Sequence, residues 1–216
     1  MTDGAAAPRG RRATAVLAAL VLAVAGVLVA WQALRPDRPG SDGPEAGFAR
    51  DMSVHHAQAV RMSFLVRDGS GDERVRLLAY DIINTQSAQI GMMTAWLDEW
   101  GLPKADPAGR MRWMAGHGGH GGGRAGPGTG GGAAPMPGMA TRDQLAGLER
   151  ASGRDAEVRY LQLMIAHHRG GVAMAEAVLA RTGHPRVRRL ARTMVAGQRS
   201  EITLMTDMLR ERGIRA

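Results

Sequence analysis

The sequence predicts an all-α protein: a four-helix bundle made of two duplicated helical hairpins, preceded by one N-terminal transmembrane helix. Three observations lead there. The chain aligns with itself, without a gap, at an offset of 112 residues. Each copy carries apolar residues at spacings of three and four, as one face of a helix requires, and each copy closes on a glycine.

A long internal period decides architecture, so the repeat is taken first. Residues 52–101 and 164–213 share 19 identities in 50 positions. "MSVHHAQAVRM" lies over "MIAHHRGGVAM", so that Met52, His55, His56 and Met62 fall on Met164, His167, His168 and Met174. The same offset carries Gln86 onto Gln198, Met93 onto Met205, Leu97 onto Leu209 and Gly101 onto Gly213.

Upstream of the repeat, residues 13–34 contain no charge, and 22 residues make about 33 Å of helix, enough to cross a bilayer. Arg9, Arg11 and Arg12 precede this run, which places residues 1–12 in the cytoplasm and the remainder outside, on a single-pass anchor in the cell membrane. Cleavage after Ala23-Val24-Ala25, giving a secreted protein, is the competing expectation. A Pro/Gly linker occupies residues 35–47.

The first hairpin is expected over residues 48–101. In its first helix Met52, His55, His56, Ala59 and Met62 lie within an arc of about 120°. The second copy has the same arc, with Gly171 in place of Ala59, where a small residue lets a helix or an ion approach the histidines. A turn follows in each copy, "DGSGDER" or "RTGHPRV". After it comes a second amphipathic helix with Leu78, Ile82, Gln86, Gln89, Met93 and Leu97 in one copy and Leu190, Met194, Gln198, Glu201, Met205 and Leu209 in the other. Neither hairpin buries its apolar face alone, so the two pack together with one long crossover.

That crossover, residues 102–140, is glycine-rich and expected to be mobile. Its other residues are selective: Met111, Met114, His117, His120, Met136 and Met139 make a weaker candidate site for a soft ion. Thr141 and Gln144 form a capping box that opens a short helix, and the second hairpin completes residues 141–216.

Composition narrows the chemistry. With no cysteine, disulfides, thiolate sites and cysteine nucleophiles are excluded, and soft-metal binding falls to thioether and imidazole. The 14 methionines are conspicuous beside aromatic residues of only 4%, with core filling the alternative account for most of them. The net charge of +8 is spread over the chain, and its local concentration "RVRRLAR" lacks interleaved aromatics, so it reads as a solvated helix face and nucleic acid is not expected as a partner.

The runs "MPGM", "LAGLERASGRDAEVRYLQLMIAHHRGGVAMAE", "FARDMSVHHAQAVRM" and "TQSAQIGMMTAWLDEWG" resemble the bacterial domain-of-unknown-function family 305. The resemblance implies a ferritin-like four-helix fold, an extracytoplasmic location and, as in its copper-resistance members, copper bound through Met and His.

The ligand chemistry points the same way independently. Thioether favours Cu(I) and Ag(I), and imidazole accepts Cu(I) and Cu(II), so a copper ion is the expected cofactor, Cu(I) before Cu(II). The expected ligands are Met52, His55, His56, Met62, Met164, His167, His168 and Met174, with Met93 and Met205 beside them. A di-iron oxidase needs Glu-x-x-His pairs, which the chain lacks, so no catalytic activity is expected. His184 is taken as incidental. Copper affinity is expected to fall as pH drops through about 6.5, the ordinary histidine value.

Two other readings stay open at this stage. One is a structural or protein-interaction bundle at the cell surface, with the histidines in interhelical hydrogen bonds. The other is a bundle that holds haem between opposed ligands. Partners beyond membrane and copper, whether further copies of the chain or a copper-handling protein, are not specified by the residues.

Overall fold

The structure, a computed structural model, describes residues 9–33, 38–106, 109–114 and 136–215. Those residues are helical and contain no strand. They fall into two units, residues 1–38 and residues 39–216.

The first unit holds α1 (Arg9–Ala33), whose apolar side chains, Leu17, Val21, Val24 and Val29 among them, are exposed. The membrane span expected at residues 13–34 is not supported. Among the described residues no helix is long and apolar enough to cross a membrane.

The second unit contains α2 (Pro44–Gly69), α3 (Glu73–Trp100), α4 (Arg142–Arg150), α5 (Gly153–Leu179) and α6 (Pro185–Glu211). Local chemistry sets their ends. Pro44 and Pro185 open α2 and α6, where a missing N–H costs nothing. Asp72 caps α3 by accepting from Arg74 N and Val75 N, and Gly101 (φ 70°) ends it in the left-handed region. Thr141 and Gln144 form the reciprocal capping box of α4. Arg188, from the basic run, donates to the Leu179 and Thr182 carbonyls at the end of α5, and Arg186 pairs with Glu99 at 2.7 Å.

Packing follows from the apolar stripes. Helix α2 packs on α3, α5 packs on α6, and the two hairpins meet through α2 and α5. Two apolar clusters result. One gathers residues 46–52 of α2, 93–100 of α3, 174–178 of α5 and 187–194 of α6. The other gathers residues 59–66 of α2, 75–82 of α3, 160–165 of α5 and 205–209 of α6. Each long helix therefore passes through both clusters, and α2 runs antiparallel to α5.

The crossover differs from its expectation. Met111, Trp113 and Met136 are buried in the first cluster, with Met114 and Met139 packed on it. Asp51 anchors the near part: its buried carboxylate accepts from Met111 N (2.8 Å) and Trp113 Nε1 (2.9 Å). Burial pushes that carboxyl up, against the two hydrogen bonds and the Arg110 charge, which act to lower it. Composition mispredicts these segments because their few apolar residues are placed where the bundle is open. His117 and His120 lie outside the described residues.

Candidate metal centre

Between the two apolar clusters every long helix contributes two polar residues. They are His55 and His56 from α2, Gln86 and Gln89 from α3, His167 and His168 from α5, and Gln198 and Glu201 from α6. All but Glu201 are buried, and the four histidines are fully so. Burying so many polar groups in one plane of a core costs free energy unless they are paired or used.

Half of each imidazole is paired. His55 Nε2 donates to Pro137 O (3.0 Å) and His167 Nε2 to His55 O (3.0 Å). His56 Nε2 donates to Gln89 Oε1 (2.7 Å) and His168 Nε2 to Glu201 Oε2 (2.6 Å). Carbonyl and carboxylate oxygens only accept, so the proton is on Nε2 and the lone pair is on Nδ1. All four Nδ1 atoms are buried without a partner. Burial, the leading cause, lowers His55 to about 4 and His56 to about 3. Burial and the neighbouring imidazoles also hold His167 well below its ordinary value.

An imidazole with its tautomer fixed by an outer acceptor and one lone pair left free is able to take a metal ion. The fit to a soft ion also draws on sulfur. Met52, Met93 and Met174 lie in the first cluster, and Met62, Met164 and Met205 in the second. The offset of 112 converts one trio into the other. The sequence grouped Met52 with Met62 and Met164 with Met174, by repeat. Space groups them across repeats instead, because α2 and α5 cross antiparallel at the histidines. There the His55 and His167 rings lie 3.7 Å apart, tilted by 31°.

Some expectations are narrowed. Rings in contact leave no gap for a porphyrin between His55 and His167, which removes the most direct haem arrangement. Among the described residues no group of three or more His, Asp or Glu, the four histidines included, is arranged to hold a metal ion, so an ion here would have to take thioether ligands as well. Of the described linker methionines, Met111 and Met136 are buried in the first apolar cluster and Met114 and Met139 pack against it. His184 sits at the start of α6 with its ring 5.5 Å from Trp100. Beyond the expected ligands the structure adds Pro137 as acceptor for His55, Met194 and Met208 as further buried thioethers, and Gln198, which fills the notch at Gly171. The identity of Gln86 and Gln198 across the repeat was the available signal for the last.

The Pro137 acceptor depends on two glycines. A Cβ on Gly170 would stand 2.0 Å from Pro137 O, and one on Gly138 (φ 73°) 2.2 Å from Ala166 O. Gln58 secures the same strap, donating to Ala140 O (3.0 Å) and accepting from Ala140 N (2.7 Å). Gly170→Ala therefore lifts residues 136–140 off α5. The expected cost is about 1–3 kcal/mol in urea unfolding, as for overpacking elsewhere, together with loss of the His55–Pro137 bond. Unchanged stability would show that the strap closes without this contact.

A helical bundle with one buried imidazole and amide layer between two thioether trios defines a class of helical Met/His-core proteins. The chain belongs to the family described as "Domain of unknown function (DUF305)", whose profile matches residues 45–209. Among solved structures it is similar to a DUF305 protein from Streptomyces coelicolor, a candidate secreted protein. Identity is 49%, TM-score 0.72, and coverage 82% of this chain and 98% of that one. A DUF305 fragment from Deinococcus radiodurans is 34% identical, with TM-score 0.61 and coverage of 78% and 96%. CopM in its Cu(I)-bound form shares the fold at 21% identity and TM-score 0.57, with coverage of 77% and 96%. No curated protein matches the chain.

Proposed function

We propose that this protein binds copper outside the cytoplasm, holding Cu(I) through the Met/His core for sequestration, tolerance or delivery, and that it is not an enzyme. The observation that carries the proposal is the set of four buried Nδ1 lone pairs, each on an imidazole whose other nitrogen is committed to an acceptor. Leaving four such atoms unused costs on the order of 1–3 kcal/mol each, and a soft ion recovers that cost. Thioethers flank them, and the chain has no thiolate to compete. CopM, which shares the fold, has been solved with Cu(I), Cu(II) and Ag bound, and this supports the same reading here. The Streptomyces relative supports the location. A membrane anchor is no part of the proposal.

The test is selectivity. The protein is expected to retain Cu(I) and Ag(I) through a desalting column, and to release Mg²⁺ and Mn²⁺, because ligand softness decides. Copper-treated protein that elutes metal-free would refute the reading. The structural alternative has one observation in its favour, the interhelical His56–Gln89 and His168–Glu201 bonds. It gives no use for the Nδ1 atoms.

A further inference from the structure

Helices α3 and α6 lie side by side and share one outer face. Arg74 at the start of α3 pairs with Glu211 at the end of α6 (2.7 Å), and Arg186 at the start of α6 pairs with Glu99 at the end of α3 (2.7 Å). The offset of 112 turns one pair into the other, so the two helices run antiparallel about a pseudo-two-fold axis. Midway between the pairs, Thr85 on α3 and Thr193 and Gly197 on α6 line a common cleft.

Leu77, Asp81, Thr85, Ala88 and Met92 share an arc of about 80° on α3. Their repeat mates, Arg189, Thr193, Gly197, Ser200 and Leu204, share the same arc on α6, and every one of these residues is exposed. Of the large apolar side chains that the described part of the bundle leaves exposed, Leu77 (60%), Met92 (43%) and Leu204 (43%) stand on this face, and only Phe64 and Tyr80 stand elsewhere. Its centre is low, because Thr85, Ala88, Gly197 and Ser200 are small and a Cβ on Gly197 would meet nothing within 4 Å. Charge divides its ends. Asp81 lies with Leu77 and Leu204 at one end, Arg189 with Met92 at the other, and neither charged group has a partner among the described residues. The duplication has diverged to give this, since the mate of Asp81 is Thr193 and the mate of Arg189 is Leu77.

We propose that the α3/α6 face is a homodimer interface, covered by a second copy of this chain. The face carries both halves of a complementary pair at symmetric ends, which is what a two-fold contact between identical surfaces requires. A two-fold axis lying in the face and crossing its low centre lays the Asp81 end of each copy on the Arg189 end of the other, with the helices crossing obliquely. Asp81 then meets the second copy's arginine twice per dimer, Leu77 and Leu204 meet Met92, and the opposed charges fix the register. From Arg74 to Glu99 the face is about 37 Å long and, two helices wide, about 20 Å across, on the order of 750 Å² per copy; stable complexes bury ~800 Å² on each side. The interface does not depend on the copper reading.

The experiment uses the full chain without metal, with sedimentation to give its mass. Wild type is expected to be a dimer over the micromolar range. Asp81→Arg and Arg189→Asp each set like charges together twice per dimer, so each is expected to raise the dissociation constant at least about tenfold. The two changes combined restore the ion pairs in the opposite sense and are expected to restore the dimer. Because the chain has no cysteine, Ala88→Cys supplies a single thiol near the axis, and oxidation is expected to join two copies through it. Ala173→Cys, exposed on α5 away from the face, is the comparison, and all variants carry the same α1. A monomeric wild type overturns the proposal. So does a dimer that ignores the single charge reversals, one that the combined variant fails to restore, or one that crosslinks no faster through Ala88→Cys than through Ala173→Cys.

Discussion

Replacing His167 and His168 together by Gln is expected to abolish most Cu(I) and Ag(I) retention while leaving the metal-free bundle folded. Gln can still offer an N–H toward the His55 carbonyl and the Glu201 carboxylate, the present partners of the two imidazoles. What it lacks is the second nitrogen. Each unpartnered Nδ1 acceptor is exchanged for an amide oxygen acceptor, so the metal-free protein is expected to lose little stability, within about 1 kcal/mol. Outer partners of metal ligands are typically worth 10–100-fold in affinity, and removal of the ligands themselves should exceed roughly 100-fold. His55→Gln with His56→Gln is the internal comparison. Because the His55 and His167 rings are in contact, either pair of changes is expected to damage one shared centre. The two pairs should differ in one respect: His55 also holds Pro137, so its replacement additionally loosens the strap. Metal stoichiometry and thermal unfolding of both double variants decide the matter. Full loading with a strongly lowered metal-free melting temperature would make the histidines core residues and nothing more.

The all-helical fold was legible because helices announce themselves locally: spacings of three and four, Asp72 and Thr141 at helix starts, Gly101 and Gly213 at stops. The four histidines and six methionines stood out for a different reason, the duplication, which repeats chemistry that packing alone has no need to repeat. How these residues group was not legible. Helical periodicity says which face a residue occupies but not which neighbour crosses it, so the trios of Met52, Met93, Met174 and Met62, Met164, Met205 depend on the antiparallel crossing of α2 and α5. The strap was hidden by composition. In "MPGM" the informative groups are the Pro137 carbonyl and the missing side chain of Gly138, and a backbone oxygen leaves no mark in a pattern of residue types. The membrane span was read from the absence of charge over residues 13–34, and among the described residues no helix is long and apolar enough to support it.

Lowering the pH from 7 to 4.5 is expected to destabilise the metal-free protein steeply while sparing its intrinsic affinity for copper. In the unfolded chain each histidine takes up a proton near 6.5. In the folded chain burial holds His55 at about 4 and His56 at about 3, and His167 is lowered well below its ordinary value. Below pH 6.5 the unfolded state therefore binds protons that the native state does not, and stability falls as pH falls. The loss is on the order of 1 kcal/mol per histidine for each pH unit, and it levels off only as the folded values are reached. With three such residues it becomes several kcal/mol by pH 5, a large share of the ~5–15 kcal/mol that holds a typical domain together. Above pH 6.5 the same groups contribute no slope. Copper affinity follows the folded values instead: while the bundle stays native the imidazoles of His55, His56 and His167 are neutral well below 6.5, so binding should persist toward pH 4–5. The fall near 6.5 expected from the sequence is thus displaced downward by burial. Melting temperatures of the metal-free protein at half-unit steps from pH 7 to 4.5, beside Ag(I) retention at the same steps, check both halves. A melting temperature independent of pH would mean that the histidines are not buried neutral, and Ag(I) lost sharply at pH 6.5 from protein that remains folded would mean that solvent reaches them.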